Sequence, residues 1–233
     1  MIPLRDLTPR ERTPIVAWGL AAANVAIFVY QYLVLPGGQG EAFLASFAAV
    51  PADISAAALG RGSLVSGLLP LMTSMFLHGG LMHLLGNMWF LWIFGDNVED
   101  ELGHLKFLLF YLACGALGTL AHFAGDPLSA VPVIGASGAI AGVMGAYLVC
   151  FPRSRVTVLL PLLVFWTTVD LPAFVMLLYW FALQLLNVSA DSSGGGVAWW
   201  AHVGGFVVGA VLALCLRRGR RGRPLRQARR RLI

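Results

Sequence analysis

The chain has 233 residues, of which 58% are hydrophobic and only 12% are charged. Soluble domains carry about 25% charged residues, so this composition excludes an ordinary cytosolic enzyme. Uncharged apolar runs reach about 20 residues, the length that a helix needs to cross about 30 Å of hydrocarbon. We therefore predict a membrane protein that crosses the bilayer several times.

The formal net charge of +5 comes largely from one end of the chain. Nine of the sixteen Lys and Arg residues lie between Arg217 and Arg231, directly after the last apolar run. A basic tail in this position is typical of a cytoplasmic anchor that lies near anionic lipid headgroups. We therefore expect a lipid surface as its partner and no nucleic acid.

The first part of the chain is predicted to hold a leader, one span and a loop. Residues 1–13 are polar and include three arginines, whereas residues 14–35 form an apolar run that is too long for the core of a signal peptide. Residues 36–70 are poor in charge and interrupted by Gly and Pro. We expect this loop between helices 1 and 2 to lie partly in the membrane interface.

Three further apolar runs follow, at residues 81–93, 105–124 and 137–151. The first of them ends in a cluster of acidic residues. The last has only about 15 residues, which is short for a helix that spans the hydrocarbon. We therefore expect the fourth helix to begin below the membrane surface.

The last part of the membrane domain contains a broken segment and a final span. Residues 156–187 are too long for one helix and include prolines, so we predict a loop that dips into the membrane, followed by a helix over residues 171–187. The final span covers residues 198–216. Six spans place both termini on one side of the membrane, and their arginines indicate that this side is cytoplasmic.

These predictions describe an all-α membrane protein with a six-transmembrane-helix bundle. The cytoplasmic leader covers residues 1–13, the membrane domain residues 14–216 and the basic cytoplasmic tail residues 217–233. The compact chain and the lack of a transit-type leader favour the bacterial inner membrane. The three cysteines lie inside apolar runs without metal-type spacing, so we predict that they are core residues.

Polar side chains inside spans are costly and usually face a cavity, a partner or a reaction site. His83 and Asn87 are four residues apart and therefore share one face of the second helix. Ser137 begins the fourth helix, and His202 lies near the outer end of the sixth. A hydroxyl beside an imidazole is the minimum for nucleophilic catalysis, because the base takes the hydroxyl proton.

Glycines after these residues predict how the two helices meet. They lie at helical spacing, as Gly138, Gly142 and Gly145 after Ser137, and as Gly205 and Gly209 after His202. Such spacing lets two helix backbones approach closely, which would bring Ser137 beside His202. No acidic residue is placed to orient the histidine, so the sequence favours a Ser-His dyad over a triad.

The start of the fourth helix also favours negative charge. Its unpaired backbone N–H groups and the positive end of its dipole lie at Ser137. With the side chains of Asn87 and His83, they would form an oxyanion hole that stabilises charge on a carbonyl oxygen. Together these residues predict acyl transfer inside a membrane.

The residues occur as three motifs in fixed order on successive spans. These are His78-x4-His83-x3-Asn87, Gly135-x-Ser137-Gly138 and Ala201-His202-x2-Gly205-x3-Gly209. In this order they closely resemble the rhomboid family of intramembrane serine proteases, over roughly residues 73–216.

The resemblance implies a serine endopeptidase with Ser137 as nucleophile, His202 as base, and His83, Asn87 and the Ser137 backbone as oxyanion donors. It also implies transmembrane protein substrates that are cut near the outer end of a helix. We expect the site to open to the outer side and to need no metal ion or other cofactor. Val98-Glu99 matches a family feature in which an acidic residue ties a helix end to its neighbour. His78 is a possible neighbour of the site.

Two positions depart from the pattern. Some members carry a tyrosine that packs against the catalytic histidine, and here that position is Ala141. Many also carry a Trp-Arg pair in the first outer loop, where this chain has Leu69-Pro70. The departures concern how His202 and the loop are held, and neither removes a reacting group.

Two other functions are open to such a chain. One is a catalytically inactive, rhomboid-like binder of transmembrane client proteins, which typically lacks the serine or the histidine that this chain retains. The other is a zinc site built from His78, His83 and His202, although the Glu-containing helix motif and matching carboxylates of zinc proteases are missing.

Overall fold

The computed structural model describes residues 1–162, 165–190 and 197–217. The chain begins with strand β1 (Ile2–Asp6) and helix α1 (Ile15–Val29), which continues into one π-helical turn (Tyr30–Val34). Five short helical elements come next. They are α2 (Gln39–Phe47), α3 (Pro51–Ala58), α4 (Leu64–Leu68), α5 (Pro70–Thr73) and a 3-10 turn (Ser74–Phe76).

The longer elements form the body of the molecule. They are α6 (Leu81–Leu102), α7 (His104–Gly125), α8 (Ser137–Cys150), strands β2 (Arg155–Leu162) and β3 (Phe165–Pro172), α9 (Ala173–Ala190) and α10 (Trp199–Leu216). Gly103 separates α6 from α7 at a φ of 82°, a left-handed conformation that glycine adopts without strain.

Within the described residues, four helices are long and apolar enough to cross a membrane: Ile15–Val34, His104–Gly125, Ala173–Ala190 and Trp199–Leu216. A fifth candidate is the pair Leu64–Phe76 and Leu81–Leu102, which is bent by 77° at its break. The chain is thus an integral membrane protein with several candidate spans. Helix α8, with 14 residues, is the short apolar helix that the sequence predicted.

Helix α8 lies at the centre of the bundle, in contact with α6, α7 and α10. All ten of its residues from Gly138 to Tyr147 are buried. Small residues dominate this stretch, so neighbouring helices can approach its backbone. The core around it includes large, fully buried side chains such as Phe94, Phe107 and Tyr111.

The long helices alternate in direction. Helices α6, α8 and α10 run from the end that holds Ser137 and His202, which we name the site end, to the opposite end. Helix α1 begins at that opposite end, where Val16 contacts Glu99, and α7 returns from there to Trp200 at the site end. The sheet described next lies at the same end as the start of α1, which we therefore name the sheet end.

A three-stranded antiparallel sheet corrects the all-α prediction. Strand β1 of the leader pairs with β2, and β2 pairs with β3 as a hairpin. Residues 156–170, predicted to be an irregular loop that dips into the membrane, are therefore mostly strand. Val156 and Val158 of β2 are fully buried in the core, and Thr157 between them is also buried.

Glu99 fixes the start of α1 against α6. Its carboxylate accepts hydrogen bonds from the backbone N–H groups of Val16 (3.0 Å) and Ala17 (2.7 Å), and it also contacts His104. A carboxylate at a helix N-terminus satisfies unpaired N–H groups and opposes the positive end of the helix dipole. Glu99 is only 1% exposed, so this tie is internal.

Candidate active site

Ser137 and His202 meet at the site end of the bundle. Ser137 is the first residue of α8, and His202 lies in the first turn of α10. The Ser137 Oγ atom is 2.8 Å from Nε2 of His202, within hydrogen-bond distance. The structure thus brings together the two side chains that the sequence predicted to react.

Glycines allow this meeting because α8 and α10 touch through their backbones. A Cβ atom at Gly205 would lie 2.0 Å from the carbonyl oxygen of Gly138, and one at Gly209 would lie 2.0 Å from that of Gly142. No side chain fits at either distance. The hydrogen bond between Ser137 and His202 therefore depends on the glycines that lie about one and two helical turns after His202.

Gly135 shapes the turn before Ser137. Its φ is 115°, a conformation that other residues rarely adopt, and its backbone N–H donates to the carbonyl of Ser74 (2.9 Å). A Cβ atom here would lie 2.6 Å from Nε2 of His83. Glycine is thus required both for the turn and for the approach of His83.

The histidines and asparagine of α6 form the opposite wall. Asn87 is buried and donates from Nδ2 to Nε2 of His78 (2.9 Å), so its hydrogen-bond partner is His78 rather than its helical neighbour His83. His78 is fully buried, and its ring packs edge-on against that of His83 at 5.0 Å. His78 therefore lies beside the site and orients the Asn87 amide.

A cavity of about 770 Å³ opens between α6, α8 and α9 in front of these groups. Ser137, His202, His83 and Asn87 all line it. The remaining wall is largely apolar and includes Phe90, Ile140, Ala141, Met144 and Trp180. Met144 lies two helical turns below Ser137, so the cavity extends about 10 Å along α8 at 1.5 Å per residue.

The sequence did not identify the residues that surround His202. Gln184 of α9 places its Oε1 atom 2.9 Å from Nδ1 of His202, on the side of the ring opposite Ser137. Trp180 packs against the imidazole with ring centres 5.9 Å apart, and Trp199 meets it edge-on at 5.8 Å. A polar residue within an otherwise apolar span was the available signal for Gln184.

The described part of the chain contains no group of three His, Cys, Asp or Glu side chains placed to hold a metal ion. His78, in particular, is directed to Asn87. The three cysteines are free thiols, at Cys114, Cys150 and Cys215. Their degree of burial falls in that order, and Cys215 is exposed, so it is not the core residue that we predicted.

Comparison with known proteins identifies the family of the chain. The model of the rhomboid domain matches residues 65–219, which include the three motifs and all the residues of the site. The chain belongs to the rhomboid family.

Individual relatives are similar over part of the chain. Rhomboid protease GluP of Bacillus subtilis (strain 168) is 36% identical over 146 residues, which are 62% of this chain and 26% of that protein. The putative rhomboid protease YdcA of the same organism is 42% identical over 78 residues, 34% of this chain and 39% of that protein. The human mitochondrial presenilin-associated rhomboid-like protein is 28% identical over 148 residues, which are 60% of this chain and 36% of that protein. The matches therefore span well under half of each relative.

Proposed function

We propose that this chain is an intramembrane serine endopeptidase that cleaves transmembrane protein substrates through a Ser137-His202 dyad. The observation that carries the proposal is the 2.8 Å contact between Oγ of Ser137 and Nε2 of His202, inside an apolar bundle and at the wall of a large cavity. A polar pair of this kind is costly among membrane helices and is typical of a functional site.

The reaction follows from the chemistry of the two groups. His202 accepts the hydroxyl proton of Ser137 as Oγ attacks the peptide carbonyl, forming a C–O bond. His202 then returns the proton to the leaving amine as the C–N bond breaks, which leaves an acyl-enzyme. It next takes a proton from water as the water oxygen attacks the ester carbonyl, and it gives that proton to Oγ of Ser137 as the ester C–O bond breaks and the carboxylic acid product leaves.

We assign the oxyanion hole to Asn87, His83 and the backbone N–H groups at the start of α8. The Asn87 amide nitrogen carries two hydrogens, and its bond to His78 uses one of them. The other is available to an oxygen in the cavity that Asn87 lines. The unpaired N–H groups of the first turn of α8 lie at Ser137 itself, where the helix dipole favours negative charge.

The apolar cavity wall is suited to a substrate segment that arrives from the membrane. We propose that six helices span the bilayer, namely α1, α6, α7, α8, α9 and α10, with the site end outside and the sheet end in the cytoplasm. The basic tail predicted over residues 217–233, which we expect near anionic lipid headgroups, lies outside the described residues except for Arg217. We place the protein in the bacterial inner membrane.

A serine-reactive fluorophosphonate probe tests the proposal without a known substrate. We expect the purified protein in detergent to become labelled, and the label to disappear in Ser137→Ala and in His202→Ala. Ser66→Ala removes an exposed hydroxyl of α4 and should label like the wild type. Folded protein that does not label, together with capture of intact transmembrane clients, would instead support the inactive binder.

A further inference from the structure

Gln184 is the one buried residue in the C-terminal half of α9. The other buried residues of this helix are Ala173, Met176 and Leu177, near its beginning. Gln184 is 5% exposed, and its Oε1 atom lies 2.9 Å from Nδ1 of His202. A buried amide of this kind is costly in an apolar helix unless its polar atoms are satisfied.

A second hydrogen bond fixes which way the amide faces. Nε2 of Gln184 donates to the backbone carbonyl of Trp180, one turn earlier, at 3.1 Å. A carbonyl oxygen only accepts, so the NH2 group must face Trp180 and the oxygen must face His202. Oε1 then accepts the hydrogen bond, and the proton of the neutral imidazole lies on Nδ1.

The position of that proton decides whether His202 can serve as a base. With hydrogen on Nδ1, the lone pair of Nε2 points to Oγ of Ser137 and can accept its proton. In the other tautomer Nε2 carries the hydrogen and can accept nothing. Holding one nitrogen of a histidine by a hydrogen bond is a general way to set the chemistry of the other.

We propose that Gln184 is a positioning residue that holds His202 in the Nδ1–H tautomer and fixes the ring in line with Ser137. This proposal rests on the proposed function of His202 as the base. Gln184 takes the place that a carboxylate occupies in a catalytic triad. A neutral amide suits this place because the ring lies between Trp180 and Trp199, where an unpaired carboxylate would be costly to bury.

The face of α9 that carries Gln184 also supplies the packing of the His202 ring. Ala141 is too small to hold the imidazole, and the support comes from α9 instead. Trp180 and Gln184 are four residues apart on the same face of α9, so the indole packs on the ring while the amide holds its Nδ1 atom. Among the described residues, the titratable groups that act on His202 electrostatically are His83 and His122, and both are imidazoles.

Two measurements test the proposal. The first is nitrogen NMR of protein labelled at histidine, with His202 assigned by comparison with His202→Ala. We expect the Nδ1–H tautomer in the wild type and a mixture or the Nε2–H tautomer in Gln184→Leu. The second is the rate of fluorophosphonate labelling, which should fall about tenfold or more in Gln184→Leu.

Two further variants separate positioning from a structural role. Gln184→Glu retains an acceptor, so it should keep the Nδ1–H tautomer and move the acid limb of the labelling profile to higher pH, because a carboxylate stabilises the imidazolium. Gln31→Leu makes the matched change at a buried amide of the π-helical turn after α1, 4% exposed, and should label like the wild type.

Different results would overturn the two proposals. An unchanged tautomer and labelling rate in Gln184→Leu would exclude the positioning role, as would equal losses in Gln184→Leu and Gln184→Glu with no shift of the pH profile. If the wild type does not label at all, the proposed protease function fails. The NMR measurement would still decide whether Gln184 sets the tautomer.

Discussion

Tyr147, near the end of the helix that begins with Ser137, donates a 2.9 Å hydrogen bond to the carboxylate of Asp6 in the first strand. The same carboxylate oxygen accepts from the side chain of Asn97 in α6 at 2.7 Å. Thr8 contacts the Tyr147 hydroxyl at 2.7 Å. The leader is thereby bound to the sheet ends of two helices whose other ends carry the site.

This cluster predicts a specific pH dependence of stability. Burial raises the pKa of the Asp6 carboxyl above its usual value of 3.8, although the hydrogen bond from Tyr147 opposes the shift. The folded protein then holds this proton more tightly than the unfolded chain does. The favourable contribution is complete below pH 3.8 and is lost as the pH rises through the raised pKa.

Asp6→Asn should remove this dependence, because the amide keeps an acceptor oxygen and does not ionise. We expect the free energy of unfolding in detergent to decline less in Asp6→Asn than in the wild type between about pH 4 and about pH 8. Asp53→Asn, at an exposed carboxyl, should follow the wild type. Parallel curves for Asp6→Asn and the wild type would contradict the assignment.

The contact between α8 and α10 predicts the effect of a single methyl group. Gly205→Ala places a Cβ atom 2.0 Å from the carbonyl oxygen of Gly138, so the two helices must separate. Because overpacking of this kind costs about 1–3 kcal/mol or more, we expect a lower melting temperature. The separation should also reduce fluorophosphonate labelling, since it lengthens the Ser137 to His202 contact.

Gly19→Ala is the matched control for that change. It lies in α1, where no atom stands within 4 Å of the added Cβ. The variant should melt and label like the wild type, or melt slightly higher, because Ala favours a helix over Gly. Equal behaviour of Gly205→Ala and Gly19→Ala would mean that the close contact is not needed.

The long helices could be predicted from the sequence because their signals are local. Residues 105–124 and 198–216 were predicted as spans, and the helices are His104–Gly125 and Trp199–Leu216. Each is an apolar run that ends at a Gly or a charged residue. The contact of Ser137 with His202 was also predictable, because glycines mark one face of each helix.

The sheet and the role of Gln184 were not predicted, because neither leaves a local pattern in the sequence. Strand β1 is five residues long, and Ile2 pairs with Leu159 far along the chain. Such a short strand gains its stability from pairing and not from its own sequence. Gln184 is a single polar residue, and only the packing of α9 against α10 shows that it faces His202.

We expect the hydrogen bonds of Glu99 at the sheet end to stabilise the folded protein. Glu99→Gln removes the negative charge that faces the first N–H groups of α1, at Val16 and Ala17. Charge-assisted hydrogen bonds contribute about 1.5–3 kcal/mol, so we expect a clear fall in the melting temperature. Glu41→Gln, at an exposed residue of α2, should have little effect, and an equal loss there would exclude a specific tie.

We expect the substitution Asn87→Ala to lower turnover and to leave substrate binding intact. In the proposed mechanism the second amide hydrogen of Asn87 donates to the carbonyl oxygen more strongly as negative charge develops there, so Asn87→Ala should lower kcat by about 10²–10³ with little change in KM. His78→Ala should cause a smaller loss of the same kind, because it removes the acceptor that orients the Asn87 amide. Steady-state cleavage of a transmembrane reporter substrate in detergent measures both constants, with Asn24→Ala as the matched buried amide away from the cavity. An effect confined to KM would mean that Asn87 binds the substrate and does not stabilise the oxyanion.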